Sequence, residues 1–305
     1  MYEVKVLAPA TVSNVVCGFD CLGFALDGPT DELTLRRIEG REIRIVHHDD
    51  FGLSEDPESN VAGVALKAFI DAADIDFGFE VEIMKNIRPG SGVGSSAASS
   101  CGAVVAANHL IGGRFSDSEL VELAMAGEMI ASGSRHADNL APCIFGGFTL
   151  VRSSQPVDIV SVGHSQLYTV VLHPQVEIKT SEARSILPAD IPLKEAIRNW
   201  SNLGAFVAAL ANDDHALLSR SMVDNIIEPI RKRAIPGFDE LKLAGVEAGA
   251  IGGGISGSGP SVFMLCSSLS TAQNVEIAMR HTYDRIGIDY RTYVSAISSK
   301  GVCIA

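Results

Sequence analysis

Residues 88 to 100, Arg-Pro-Gly-Ser-Gly-Val-Gly-Ser-Ser-Ala-Ala-Ser-Ser, constrain this chain more than any other stretch. Glycines at 90, 92 and 94 alternate with small residues and give way to Ser95, Ser96, Ala97 and Ala98. Ahead of them Phe77, Phe79, Val81 and Ile83 alternate with small or polar residues, as a half-buried strand requires. Behind them Ala97 to Leu110 has helix composition and no proline. The stretch reads as strand, glycine turn, helix N-terminus. Glycine admits left-handed backbone and a close ligand. The free N–H groups and positive dipole end of a helix's first turn favour an anion such as phosphate. The spacing is not the dinucleotide GxGxxG, and no GxxxxGK[ST] lysine follows. From this stretch alone, a phosphate site and a structural turn with close helix packing both remain open.

A net charge of −13 argues against a general nucleic-acid or anionic-membrane partner, yet leaves room for a local phosphate site. No run of about 18 clean apolar residues could span a bilayer. The start, MYEVKVLAPAT, lacks a signal peptide's basic and apolar regions. Six cysteines without a CxxC pair read as buried thiols in a reducing compartment. The expectation is a cytoplasmic protein with no nucleic-acid and no membrane partner. A length of 305 residues suggests two domains.

Tyr2, Val4 and Val6 alternate as a strand that ends at Ala8-Pro-Ala-Thr, and a polar loop leads to Leu22–Leu26. Residues 32–38 and 42–46 read as antiparallel strands about a turn at Gly40. Helices are expected over 60–73 and over 117–132, the latter capped by Ser116 or Asp117. Cys143 to Leu150 reads as a strand or hairpin, and the domain boundary falls at 152–156, giving units 1–155 and 156–305. In the second unit, strands are expected at 157–162, 167–172, 262–266 and 292–297, and helices at 193–210, 213–225, 238–249 and 273–283. Residues 183–192 form a connection and 252–261 a second glycine-rich loop. Strands and helices mix without a repeating βαβ order, which is an α+β pattern.

Three segments now align with a known family. Pro9-Ala-Thr-Val-Ser-Asn-Val-Val-Cys-Gly-Phe-Asp-Cys-Leu-Gly23, the stretch 88–100 and Ile255-Ser-Gly-Ser-Gly-Pro-Ser261 resemble the three motifs of the GHMP small-molecule kinases, most closely the homoserine kinase branch. The second motif carries Val93 where leucine is usual. Ser132-Gly-Ser-Arg-His-Ala-Asp-Asn-Leu-Ala-Pro142 is similar to the HxDN.AP loop of that branch. Pro229 to Phe238 is similar to its PxR…IPGF segment, and Thr180 with Ala183-Arg184 matches a further element. The resemblance covers nearly the whole chain in order. It implies a two-domain GHMP kinase fold, with an N-terminal domain like ribosomal protein S5 domain 2 and a ferredoxin-like C-terminal domain.

It also implies ATP and Mg2+, with L-homoserine as acceptor, O-phospho-L-homoserine and ADP as products in threonine biosynthesis, and a homodimer. Pro89, Gly90, Ser91, Gly92, Val93, Gly94, Ser95 and Ser96 would cradle the phosphates, joined by Gly257, Ser258 and Gly259. Ser96 and Glu128 would hold Mg2+, a cation that takes hard oxygen ligands. Asn60 would lie near adenine, although a helix N-cap is its plainer reading. Asp20 would hold the substrate ammonium, and Arg184 and Arg231 its carboxylate, a task suited to the guanidinium fork. Asn14 and His136 would contact the hydroxyl. Lys85 and Arg88 flank the loop as local positive charge or as solubilising surface. Relatives such as mevalonate kinase carry an aspartate base where this chain has Asn139. An amide is no general base at neutral pH, so the resemblance implies direct attack by the hydroxyl with Asn139 positioning.

Overall fold

Alternating apolar residues seed the larger of two sheets in the computed structural model, which describes residues 2–163, 166–176, 178 and 180–305. Strand β1 (Glu3–Ser13) buries Val4, Val6, Ala8, Ala10 and Val12 and pairs antiparallel with β2 (Leu22–Ile38). The strand does not end at Ala8-Pro-Ala-Thr11. A register shift between Pro9 and Thr11 absorbs the proline, and pairing resumes to Ser13. The strand expected at 32–38 likewise begins earlier, at Leu22.

β3 (Ile43–His47) is not the antiparallel neighbour of β2. After helix α1 (Val61–Ala73), β4 (Gly78–Met84) enters between them, antiparallel to β2 and parallel to β3. Gly78 permits this insertion, because a Cβ there would lie 1.8 Å from the Glu42 carbonyl oxygen. Helix α2 (Ser95–Leu110) packs on β1 and β2, with α1 and α3 (Asp117–Ser132) beside it. Ser116 and Glu119 close a reciprocal capping box on α3.

The expected strand or hairpin at 143–150 divides differently. Residues Leu140–Phe145 form α4, Gly146 and Gly147 stop it with positive φ, and β5 (Phe148–Ser154) follows. β5 turns at 155–156 into β6 (Val157–Gly163), and both strands belong to the larger sheet. The 155/156 division therefore falls in a hairpin turn, and the chain reaches the second sheet at β7 (Tyr168–Pro174).

The second half continues through α5 (Thr180–Ser185), α6 (Leu193–Asn212), α7 (His215–Ser221), α8 (Glu228–Arg231) and α9 (Phe238–Glu247). Then come β8 (Gly252–Ile255), β9 (Val262–Cys266), α10 (Leu269–Ile286), β10 (Tyr290–Ala296) and β11 (Cys303–Ile304). The smaller sheet runs β10-β7-β9-β8, antiparallel throughout, over a core that includes Val170, Leu172, Met264, Val275, Met279 and Tyr283. β11 returns to pair with β1.

Three expectations need correction here. α5 occupies the start of the expected connection at 183–192; the Thr180 side chain lies outside the described residues. The helix at 213–225 ends at Ser221, and the Asp224 carboxylate instead accepts the N–H groups of Ile226, Ile227 and Glu228 to start α8. Gly252, Gly253 and Gly254 are strand rather than loop. A Cβ on Gly253 would sit 2.0 Å from the Phe263 oxygen, so glycine is what lets β8 approach β9.

Candidate active site

A cavity of about 480 Å³ opens where the turn after β4, the loop after β1, the loop before α4 and the turn after β8 meet. Its glycine-rich wall consists of Pro89, Gly90, Gly92, Gly94, Ser95 and Ser96. All three glycines are left-handed, with φ of 73°, 78° and 72°. Gly94 is the N-cap of α2, and a Cβ on it would meet Thr11 Oγ1 at 2.0 Å. Ser91 and Val93 are buried behind this wall. The Ser91 and Gly92 carbonyls accept from Ser261 Oγ at 2.5 Å and Ser256 Oγ at 2.7 Å, and the Val93 carbonyl accepts from Thr11 N at 3.1 Å. Thus the third glycine-bearing turn holds the second, and Gly257 and Ser258 reach the cavity while Gly259 packs on Ile235 and Ile255.

Ser96 Oγ donates to Glu128 Oε2 at 2.9 Å from the first turn of α2 across to α3, and both residues face the cavity. A hydroxyl and a carboxylate side by side are hard oxygen donors of the kind magnesium takes alongside phosphate oxygens. Among the described residues no cluster of three or more His, Cys, Asp or Glu forms a closed metal cage.

Lys85 is neither surface charge nor a free cation beside the loop. Its side chain is 1% exposed, paired with Asp31, and donates to Ser95 O at 2.7 Å and Ser99 Oγ at 2.9 Å. Asp31 Oδ1 accepts the backbone N–H groups of Asn86 and Ile87 at 2.8 and 2.9 Å. Burial pushes the Lys85 ammonium down and the Asp31 carboxyl up, while each partner pulls the other back. The hydrogen bonds to both charged forms favour an ion pair that pins the loop's entry to the first turn of α2.

Asn60 is the N-cap of α1. Its Oδ1 accepts from Ala62 N and Gly63 N, and its Nδ2 donates to Ser54 O at 2.7 Å. Its neighbours Leu53 and Val61, rather than Asn60 itself, line the cavity.

At the other end, Asn14 and Asp20 stand in left-handed backbone at φ 56° and 59°. Asn14 Oδ1 accepts from Asp20 N at 2.7 Å, and its Nδ2 donates to Gly257 O at 3.0 Å. Arg184 of α5 grips the Asp20 carboxylate at 2.6 and 3.2 Å, and these hydrogen bonds raise the pKa of its guanidinium. Its Nη1 also lies 3.0 Å from His136 Nε2. A guanidinium only donates, so Nε2 accepts and the imidazole proton sits on Nδ1, 3.7 Å from Asp20 Oδ1. Arg231 of α8 donates to Gly257 O at 3.1 Å and Ala183 O at 3.4 Å, and burial lowers its pKa.

Asn139 is held by two hydroxyls. Thr11 Oγ1 donates to its Oδ1 at 2.8 Å, and its Nδ2 donates to Ser13 Oγ at 2.9 Å. Asp138 beside it is 3% exposed, and burial first, then Asp20, raises its pKa.

Sequence models of the "GHMP kinases N terminal domain" and "GHMP kinases C terminal" match residues 60–147 and 206–285. A homoserine kinase of Chlorobium phaeobacteroides is 44% identical over 93% of this chain and 92% of its own. The chain belongs to the GHMP kinase family, on its homoserine kinase branch. The homoserine kinase of Chloroherpeton thalassium is 42% identical, over 94% of either chain. The crystal structure of homoserine kinase from Cytophaga hutchinsonii superposes with a TM-score of 0.95 at 45% identity, covering 100% of this chain and 98% of that one. A mevalonate kinase structure at 16% identity and TM-score 0.71 shares the fold. The GHMP architecture expected from the motifs is thus the architecture found.

One cavity gathers Asn14, Asp20, His136, Asn139, Arg184, Arg231, Ser96 and Glu128. Ser91, Val93, Gly259 and Asn60 stand behind it. Sequence reasoning passed over Thr11, Ser13 and Asp31. The first two could have been found, since residues two apart on a strand share a face. Nothing near Asp31 marks its partner, 54 positions away.

Proposed function

We propose that the chain transfers the γ-phosphoryl group of ATP to the side-chain hydroxyl of L-homoserine, releasing ADP and O-phospho-L-homoserine, in threonine biosynthesis. What carries this reading is a single cavity with a glycine phosphate cradle at one end and an Asp20, Arg184, Arg231 set at the other. That set complements an ammonium beside a carboxylate. The similarity to homoserine kinases over nearly the full chain supports the same acceptor.

ATP phosphates would lie along Gly90 to Ser96, with Leu53 and Val61 offering an apolar wall to the base. Ser96 and Glu128 would hold Mg2+, which when bound neutralises charge on the phosphate oxygens. Asp20 exchanges Arg184 for the substrate ammonium, and Arg184 and Arg231 close on the carboxylate. Asn14 and His136 orient the hydroxyl toward the γ-phosphorus. Thr11 and Ser13 fix the Asn139 amide, which neither gains nor loses a proton, so its contribution is position and dipole. The hydroxyl proton leaves on the transferred phosphoryl group.

The test is ADP release from Mg-ATP with L-homoserine, D-homoserine, L-serine, mevalonate and galactose. Turnover confined to L-homoserine is expected. Preference for an acceptor without an amino-acid head would overturn the acceptor assignment while keeping the kinase.

A further inference from the structure

Phe19 lies beside both of the arginines that face the acceptor end, in the turn that also carries Asp20. The Arg231 guanidinium carbon is 5.0 Å from the Phe19 ring centroid and that of Arg184 is 5.8 Å away. The two cations come from different helices and repel one another; Asp20 counters both, and Asp138 and Asp224 also draw on Arg231 without touching it. Arg184 takes that carboxylate in a two-point grip. Arg231 is left 5% exposed with two carbonyl oxygens as partners, and among the described residues no carboxylate lies within ion-pair distance of it.

A buried guanidinium with no carboxylate in contact gains from any further negative potential close by, and the face of an aromatic ring provides one. We propose that Phe19 is a positioning residue: its ring holds the Arg184 and Arg231 guanidiniums side by side as a ready fork for the carboxylate of an α-amino acid. The inference rests on the acceptor reading given above and assigns the phenyl ring a role separate from that of Asp20 next to it. Leucine would fill similar space, but it has no ring potential. Substitution would therefore loosen the arginine pair while leaving the phosphate loop, on the far side of the cavity, untouched.

The experiment compares wild type, F19L, F19Y and chains carrying stepwise fluorinated phenylalanine at position 19, each assayed with L-homoserine and with 3-amino-1-propanol, which lacks the carboxylate. For F19L the KM for L-homoserine should rise about tenfold, with kcat and the KM for ATP within about twofold. F19Y, which keeps the ring, should stay near wild type. Fluorination keeps the shape and drains the ring's face, so log KM for L-homoserine should climb with each fluorine while KM for 3-amino-1-propanol stays flat. A fluorination series without a trend, or one that moves both acceptors equally, overturns the proposal. The fluorinated chains decide the matter even if F19L folds poorly. Failure of the acceptor reading shows itself earlier and elsewhere, as an unmodified protein that prefers a carboxylate-free acceptor, and the Phe19 proposal falls with it.

Discussion

At the phosphate end of the cavity, one short stretch supplies nearly everything: three left-handed glycines, two serines and the first turn of α2. The acceptor end draws Asp20, His136, Arg184 and Arg231 from four separate segments and both halves of the chain. The phosphate end is braced by a buried Lys85–Asp31 pair and by Thr11, and its glycine turn presents mainly backbone and small side chains to the cavity. At the acceptor end the groups that would meet a ligand meet each other, Arg184 on Asp20 and His136. A pre-shaped cradle suits the phosphate chain proposed for it. A set of mutually satisfied charges suits a zwitterion that must trade places with them, and it makes recognition depend on side-chain identity.

That contrast is broken most sharply by paired substitutions. Glu128→Gln should lower kcat by about 10²–10³-fold, the cost of losing one preorganised electrostatic contact, and leave L-homoserine affinity within a few-fold. Asp20→Asn should do the reverse, raising the KM for L-homoserine about 10–100-fold through one lost charged hydrogen bond. Steady-state kinetics with both substrates varied reads the two effects, and a Glu128 variant with full turnover would remove that residue from the metal site.

The support behind the phosphate loop is tested next. Lys85→Met leaves Asp31 buried without its cation and should destabilise the protein by about 3–5 kcal/mol in urea unfolding. Adding Asp31→Asn should recover part of this, because an amide oxygen still accepts the Asn86 and Ile87 N–H groups without carrying charge. If Lys85→Met alone is harmless, the pair does not anchor the loop.

A further effect concerns pH. His173 on β7 is pushed down from 6.5 to about 4, by burial first and then by Arg88 and Arg291. Its folded pKa lies below the unfolded one, so its share of stability is complete above about pH 6.5 and is lost as pH falls toward 4. His173→Gln should flatten the wild-type loss of unfolding free energy across that window, by up to ~3 kcal/mol at its acid end. Parallel curves would mean that His173 titrates freely in the folded protein.

Much of the fold could be read ahead of the structure because its signals are local. The alternation of Val4 and Val6, the Ser116 cap and the glycines at 90, 92 and 94 act within a few residues. What escaped is pairing. Gly40 looks like the turn of a hairpin, yet β4 inserts between β2 and β3, and only the Gly78–Glu42 approach explains how. Leu140 to Phe145 is too short an apolar run for periodicity to separate helix from strand. In the site, motif residues were legible one by one. Lys85 was not, because a lysine at a strand end carries no local mark of the Asp31 it will meet.

The Gly257 peptide joins the two ends of the cavity. Its N–H bonds Ser13 O, its carbonyl takes both Asn14 and Arg231, and its neighbours Ser256 and Ser261 hold the phosphate loop. A ligand at either end that shifts this peptide does work on the other. Linkage then fixes a symmetry that kinetics alone would not reveal: whatever factor a bound nucleotide applies to the dissociation constant of the acceptor, the acceptor applies to that of the nucleotide.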